Sequence, residues 1–398
     1  MRAGFLLIAV FNYFFVAAQQ GNWSAFLERE DGNKIAFTFD WKTEKGKPTW
    51  YINNAVEKIK VDNIVAAGDS FVVQMPVFES QFRFILRGDT INGTWIKKGA
   101  LKTMVIPFTA ARGGKRFIPS GIAEKNVSGR WAVTFSGNQG NQLSVAEFVQ
   151  KGSLLTGTFL NATGDYRYLE GIVTKDTLLL SAFDGSHAFL FKAKIKNDTA
   201  IADGMFYSGA TGKEQWTAVK NDKATLPTES VAMYLKPGEE RLDFAFKDLD
   251  GKLVAINSER FKNKVTIVQL MGTWCPNCMD ETVFLNDYYK INKQRGVEVV
   301  SLAYEYTTNW ERSVSNLKKF KQRFDVRYTI LNTEVSVVDS LRTEKTIPQV
   351  TKIKFFLLRS LLIRKAKYEN LIQVSMARQP VRIISLIKKN LMKPLTNF

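Results

Sequence analysis

Cysteine and histidine are nearly missing from this chain. Two cysteines and one histidine occur among 398 residues. A small secreted domain stapled by disulfides would carry several dispersed pairs, so a structural disulfide framework is excluded. A zinc site would need two more soft ligands beside the cysteines, and the sole histidine, His187, lies far from them in sequence. No metal and no separate cofactor are expected. Long apolar runs are lacking as well, and no interior stretch suffices to span a bilayer. The length indicates two or three domains rather than one.

Acid is in short supply. Lys and Arg total 56 against 38 Asp and Glu, a formal net charge of +18. Such an excess ordinarily indicates nucleic acid or an anionic membrane surface. Residues 357–398, however, hold nine Lys/Arg against the single acid Glu369, and so supply +8 of the +18. The charge is concentrated in a tail that is anomalous on other grounds, and nucleic acid is not expected as a partner.

Arg2 precedes an apolar run from Phe5 to Val16, followed by Ala17-Ala18-Gln19. A charged start, a short apolar segment and small residues at its end form the pattern of a secretory signal peptide over residues 1–18, against a buried helix or an uncleaved anchor. Export to the periplasm or cell envelope is expected. No cysteine follows the run, which argues against a lipoprotein anchor.

From Gly21 to about Ala218 the chain reads as short β segments, among them Lys34–Phe39, Ser70–Met75, Gln81–Leu86 and Ala188–Ala193. Alternation, aromatic and β-branched residues, and Gly/Asp/Asn punctuation predict antiparallel sheet or barrel. Gly21-Asn-Trp23 is echoed by Gly129-Arg-Trp131, and Asp89–Trp95 has a loose counterpart in Asp198–Met205. Two related β-rich units are expected, at 19–120 and 121–220. A polar, proline-containing stretch at 221–237 reads as a linker. Beyond it the rhythm changes. Val265–Met271 is a mainly apolar run, as in a strand buried on both faces of a parallel sheet, and Val297–Ala303 reads as a second buried strand. Helical stretches follow each, the second from Trp310 to Phe324, and Tyr328–Leu331 is a further strand. The fold class is thus multidomain, with an N-terminal mostly antiparallel β region and a C-terminal α/β domain at 238–356.

Both cysteines lie in Gly272-Thr-Trp-Cys-Pro-Asn-Cys-Met-Asp-Glu281, where the first buried strand hands over to a helix. Unpaired N–H groups and the helix dipole there stabilise negative charge on the first sulfur. Cys275 is therefore the expected attacking thiolate, and Cys278, one helical turn on, resolves the mixed disulfide. Pro276 and Asn277 set the intervening turn, and Trp274 shields the sulfurs on one side.

With these residues, Leu242–Phe356 resembles the TlpA/ResA-like branch of the thioredoxin superfamily. Asp243–Lys252 resembles the branch's opening hairpin, and Thr273–Cys278 its active site. Glu281 matches a glutamate that the branch uses to assist proton transfer at the resolving thiol; a solvated helix-surface residue is the plainer alternative. The long chain with its N-terminal β region further resembles the large TlpA-type proteins of Bacteroidetes-like bacteria. The resemblance implies a thioredoxin-like fold and a disulfide reductase whose partners are disulfide-bearing client proteins and an electron-donating thiol protein. It also allows association with the envelope.

The resemblance stops at Phe356. The branch pattern then requires a cis-proline loop written Pro-Thr-Thr, a β-hairpin and a closing helix, whereas the chain continues Leu357-Leu-Arg-Ser-Leu-Leu-Ile-Arg-Lys-Ala366. Restoring one nucleotide before the codon of Leu357 permits codons that read, in family order, Pro-Thr-Thr, an apolar strand, an Asp-Lys-Lys-Gly turn, a second strand and an acidic amphipathic helix. A frameshift after Phe356, genuine or a sequencing error, is expected, with the last strands and helix of the domain lost and catalysis weakened; a true basic tail that binds nucleic acid or lipid is the rival account.

Other features read as structural. His187, in Phe183–Phe191, is expected to be a hydrogen-bonded turn residue, and Gly164–Glu170 a strand with cross-strand aromatics. Sequons begin at Asn22, Asn92, Asn126, Asn161 and Asn197; they would suggest glycosylation in a eukaryotic secreted protein and carry no meaning in a bacterial one. The basic helix is a solvated face. The expected function is an exported thiol–disulfide oxidoreductase; the alternative is a β-rich binding module carrying an inactive thioredoxin-like domain.

Overall fold

The computed structural model describes residues 19–137, 140–161, 164–226, 233–353, 360–363 and 372–374. The expected signal peptide and the Pro-Thr-Thr position after Phe356 lie outside the described residues. One compact unit comprises described residues up to Phe159 and Tyr166–Leu226; the other comprises Leu160–Asp165 and the described residues beyond Pro227.

Up to Leu226 the chain forms two nine-stranded sheets, all within the first unit except for Leu160–Asp165 of the second sheet. The first sheet runs through β1 (Gly21–Glu28), β2 (Lys34–Glu44), β3 (Lys47–Asn54), β4 (Glu57–Val61) and β5 (Asn63–Ala67). It continues with β6 (Ser70–Gln74), β7 (Ser80–Arg87), β8 (Thr90–Lys98) and β9 (Thr103–Arg112). Its order is β4-β3-β2-β1-β9-β8-β7-β6-β5, an antiparallel meander whose first and last strands are neighbours. Period-two alternation builds its core. In β7, Ser80, Phe82, Phe84 and Leu86 point inward while Arg83 and Arg87 face solvent. Inward rings pack on one another, Phe39 stacked on Trp50 at 4.1 Å and Phe82 tilted against Phe108 at 4.5 Å between centroids.

The second sheet holds β10 (Gly129–Gly137), β11 (Gly140–Lys151), β12 (Leu154–Asn161), β13 (Gly164–Asp165) and β14 (Leu169–Thr174). It ends with β15 (Thr177–Phe183), β16 (Ala188–Asn197), β17 (Ala200–Ser208) and β18 (Gly212–Lys220). Its order is β11-β10-β18-β17-β16-β15-β14-β12-β13, and β11 also pairs with β12, so the strands close into a barrel. Closure removes the exposed edges. Phe135, Phe159, Phe191, Phe206 and Trp216 fill its core.

The two sheets start alike. Gly21 and Gly129 take φ of 141° and 113°, a backbone that favours glycine. Two residues on, Trp23 and Trp131 each donate an indole N–H to the carbonyl four residues back, Gln19 and Val127, at 3.1 and 2.8 Å. Both first strands pair with the last strand of their own sheet, β1 with β9 and β10 with β18. A buried guanidinium ties the two sheets together. Arg116 donates to the Ser181 carbonyl and hydroxyl at 3.1 Å and to the Asn53 carbonyl. Asn54 exchanges two hydrogen bonds with the Phe183 backbone, at 2.8 and 3.1 Å.

The expected strand at Gly164–Glu170 is interrupted. Arg167 adopts φ of 60°, which ends β13 after two residues, and its guanidinium pairs with Glu57. Tyr166 turns into the aromatic core, 5.1 Å from Phe206.

The second unit is a seven-stranded sheet of order β20-β19-β23-β22-β21-β24-β25. Its elements are β19 (Ala245–Asp248), β20 (Leu253–Ala255), β21 (Val265–Met271), helix α1 (Pro276–Asn292), β22 (Val297–Ala303), helix α2 (Trp310–Arg323), β23 (Thr329–Asn332), helix α3 (Arg342–Thr346), β24 (Ser360–Ile363) and β25 (Ile372–Val374). β21, β22 and β23 are parallel. Every residue of β22 is buried, Glu298 and Ser301 included, as in a strand covered on both faces. The expectation that the last strands are lost is corrected: β24 pairs antiparallel with β21, and β25 with β24. A central strand with a free edge offers a row of unpaired N–H and C=O groups, and the Leu/Ile-rich segment at Ser360–Ile363 suits pairing with it.

Candidate active site

The motif begins where β21 ends. Gly272 is required there by close approach: a Cβ at this position would stand 2.1 Å from Trp274 Nε1. The indole thus folds back over the backbone, donates to the Tyr304 carbonyl at 2.8 Å and stacks on Tyr306 at 5.5 Å. Cys275 is extended, with φ −104° and ψ 103°, and occupies the N-cap of α1. Its Sγ accepts the Cys278 N–H at 3.3 Å, so the sulfur itself meets one of the unpaired donors of the helix start. Pro276 fills the first helical position, where no N–H is needed. The first turn carries no acidic side chain to oppose the positive end of the helix dipole. Cys275 and Cys278 are joined as a disulfide, and both are buried. Asn277, between them, is half-buried.

Glu281 lies one turn beyond Cys278 and is 1 % exposed, which rules out the solvated-surface alternative. A buried carboxylate requires donors. Gln269, from the middle of β21, donates its amide to Glu281 Oε2 and to Thr282 Oγ1, both at 3.1 Å. The Gln269 carbonyl oxygen in turn accepts the Ser301 hydroxyl from β22 at 2.6 Å and the Tyr328 hydroxyl at 3.1 Å. The amide is fixed in orientation by these two donors, so its N–H groups face the helix. Burial pushes the Tyr328 hydroxyl far above the usual phenol range, and it stays protonated as a donor.

A second buried acid stands on the other side of the motif. Glu305, just past β22, accepts the Thr273 N–H at 2.8 Å and the Thr273 hydroxyl at 2.6 Å. Burial first, and the charge of Glu305 second, push the Tyr306 phenol up to about 12.

Of the residues singled out in the sequence, Trp274, Cys275, Pro276, Asn277, Cys278 and Glu281 gather at the β21–α1 junction. His187 belongs to the other unit. It sits in the turn between β15 and β16, where Asp184 accepts its backbone N–H at 2.6 Å and faces its Nδ1 at 3.2 Å. Sequence reasoning missed Gln269, Glu305, Ser301 and Tyr328. An amide in the middle of an apolar strand is a signal that could have found Gln269; Glu305 follows an apolar run and reads as loop. Among the described residues no group of three or more His, Cys, Asp or Glu side chains is placed to hold a metal ion, and no peptide bond is cis. Among them, too, no helix is long and apolar enough to cross a membrane.

The Redoxin family model matches residues 236–334. The thiol-disulfide oxidoreductase ResA of Bacillus thuringiensis subsp. konkukian is 29% identical over 93 residues, 23% of this chain and 49% of that protein. ResA of Bacillus subtilis (strain 168) is 26% identical over 107 residues, 27% and 55% of the two chains. The chain thus spans about half the length of the curated relatives it matches. Among solved structures, a putative protein disulfide isomerase from Bacteroides thetaiotaomicron aligns at 19% identity and TM-score 0.31, covering 42% of this chain and 96% of that one. The putative thiol:disulfide interchange protein DsbE from Chlorobium tepidum aligns at 19% identity and TM-score 0.29, covering 40% and 98%. Residues 236–334 thus match the Redoxin family, and this region is similar to thiol-disulfide oxidoreductases of the ResA type.

Proposed function

We propose that the chain is an exported thiol–disulfide oxidoreductase that reduces disulfides of client proteins in the cell envelope. The observation that carries this reading is the placement of Cys275 at the N-cap of α1, its sulfur accepting the Cys278 N–H, with no acid in the first turn. A thiolate at that position is stabilised, and a stabilised thiolate is the nucleophile of disulfide exchange. In the dithiol form, the Cys275 thiolate attacks one sulfur of a client disulfide, the other sulfur leaves as a thiolate, and a mixed disulfide forms. The Cys278 thiol gives its proton to Glu281 and attacks Cys275 Sγ. The client leaves with two electrons, and Cys275–Cys278 is again a disulfide. An electron-donating thiol protein restores the dithiol. No separate cofactor enters this sequence. Pro276 and Asn277 set the turn, and Trp274 shields the sulfurs on one side.

In the same reading residues 1–18 direct export, and 19–120 and 121–220 form two related β units that dock a client, a partner or the envelope surface. A linker at 221–237 precedes the thioredoxin-like domain, and the frame after Phe356 is shifted by one nucleotide. Sequencing the gene from an independent template across the codons for Phe355 to Leu358 checks the last point, one extra base being the expected result.

Thiol trapping tests the activity. Cys278→Ala should accumulate mixed disulfides through Cys275, and the parent chain should reduce insulin with dithiothreitol as donor. If no partner is captured and insulin stays oxidised, the β-rich binding module with an inactive appendage is the correct description.

A further inference from the structure

The first sheet ends on β4 and β5, consecutive strands with only Asp62 between them, yet no ladder joins the two. β5 pairs with β6 alone, from Asn63 opposite Gln74 to Ala67 opposite Ser70. Among the described residues its backbone enters no other ladder. Every residue of β5 except the half-buried Ile64 is exposed, Val65 at 60 %. Successive side chains of a strand point to opposite faces, so both faces of β5 reach water as well as its outer edge. Asn63-Ile-Val-Ala-Ala67 carries no charge and no proline. Sheet edges are ordinarily guarded by lysine, by proline or by a covering segment, because their free N–H and C=O groups recruit other strands. β4 follows that rule. Glu57, Lys58 and Lys60 lie along it, and the two lysines pair with Asp40 at 3.7 Å and Glu44 at 2.8 Å. One end of the sheet is guarded and the other is bare.

Charge narrows what the bare edge suits. Asp62 stands just before β5 and Asp69 just after it, so an exposed carboxylate lies near each end of the strand. Lys60, the cation nearest Asp62 in sequence, is already held by Glu44. Arg83 is in register with Val65 through Val72, but it lies two strands inward, about 10 Å away. We infer that β5 is a docking edge for an extended apolar segment of another polypeptide, flanked by lysine or arginine, which adds to the first sheet as a further strand. Backbone pairing supplies the affinity. Val65 and Ala67 on one face, and Ile64 and Ala66 on the other, meet the apolar side chains of the segment, while Asp62 and Asp69 meet its flanking cations.

A second copy of this chain fits the edge less well. Antiparallel self-pairing centred on Val65 brings Asp62 of one copy beside Asp69 of the other, and does so at both ends, setting like charges together. A basic-flanked segment meets attraction at the same two places. The inference rests on the reading of the β region as a docking module and names its edge and the chemistry of its partner; it does not depend on the dithiol.

The test uses the full chain and two fluorescein-labelled, cysteine-free peptides that share an alternating valine–threonine core as long as β5. One peptide carries lysines at both ends of the core and the other carries glutamates. Fluorescence anisotropy should show the lysine peptide binding at least about tenfold more tightly than the glutamate peptide at low salt. High salt should narrow that gap. Val65→Lys places on β5 the guard that β4 already has, at a side chain that is exposed, and should weaken the lysine peptide by about tenfold. Asp62→Asn combined with Asp69→Asn should bring the two peptides close to equal affinity, and this variant serves should V65K not fold. Failure of the lysine peptide to bind overturns the proposal, as does equal affinity of the two peptides for the parent chain. Unchanged binding by folded V65K places the site elsewhere and also overturns it. Sedimentation velocity checks the remaining occupant: a parent dimer that V65K converts to monomer assigns the edge to a second copy and refutes the polypeptide partner. Because the peptides hold no cysteine, absent binding with intact insulin reduction sinks the docking edge alone, whereas intact binding without insulin reduction sinks the oxidoreductase reading alone.

Discussion

Replacing Gln269 by Leu removes the hub beneath the dithiol while keeping nearly the same volume. The amide makes four contacts: donation to Glu281 and Thr282 at 3.1 Å each, and acceptance from Ser301 at 2.6 Å and Tyr328 at 3.1 Å. In the variant the Ser301 and Tyr328 hydroxyls lose this acceptor and the Glu281 carboxylate loses this donor, all three being buried. A buried group stripped of a partner costs about 1 kcal/mol or more, so Q269L should cost about 3 kcal/mol. That corresponds to about a hundredfold change in an opening equilibrium. The loss should be local to the second unit. Hydrogen exchange by mass spectrometry, read on peptides spanning β21 and β22, measures it against peptides of β7 and β8 as internal reference. The combination Q269L, Ser301→Ala and Tyr328→Phe removes the stranded hydroxyls and should regain part of the protection. A change of about fivefold or less in Q269L would show that the network is not what holds this part of the sheet.

Two further expectations follow from other contacts. Burial opposes ionisation of Asp184, but the charge and hydrogen bonds of His187, with Arg167, hold its carboxyl at about 2 against 3.8 in an open chain. A lowered carboxyl contributes stability above the unfolded value and loses it as pH falls through the folded one, so the contribution, about 2 kcal/mol, should vanish between roughly pH 4 and 2. Asp184→Asn should lower the denaturation midpoint of the β region at pH 7 and flatten its acid dependence; an unchanged acid profile contradicts this assignment. Gly272→Ala would place a methyl 2.1 Å from the Trp274 indole and should expel it, cutting the bond to Tyr304. A red-shifted tryptophan emission and faster reaction of the reduced Cys275 with a disulfide reagent are expected, whereas unaltered reactivity would deny Trp274 its shielding role.

Much of the second unit was legible because its signals are local. A mainly apolar run suits burial on both faces, which placed β21 and β22, and the cysteine spacing before a helix placed the Cys275–Cys278 pair at the start of α1. Glu281 was found only through a family resemblance, and its burial could not be read from α1, where charged and apolar residues are mixed. Gln269 and Glu305 were missed for a different reason. Their meaning lies in what adjacent strands and loops bring to them, Ser301 from one strand away and Thr273 from the far side of the motif. In the β region strand existence followed from alternation, but closure did not. Nothing local to β11 or β12 announces that they pair, and Arg116 reads as an ordinary surface cation until Ser181 and Asn53 surround it. The interruption at Arg167 was hidden because aromatic residues on either side suit a strand, while the turn depends on one left-handed residue. The tail misled in the opposite direction: a segment beyond the Redoxin match still supplies strands, since backbone pairing asks little of side-chain identity.

The adjacency of first and last strands in each β sheet has a consequence for synthesis. A meander can add hairpins one at a time as the chain emerges, but β1 has no partner on its far side until β9 is made, and β10 waits likewise for β18. Each sheet therefore completes itself at the moment its final strand leaves the ribosome, and a chain cut short by even one strand leaves one edge of β1 or β10 bare. Such bare strands invite pairing with other chains. Nascent fragments ending before Thr103 or before Gly212 should accordingly be the species that chaperones and proteases meet most often.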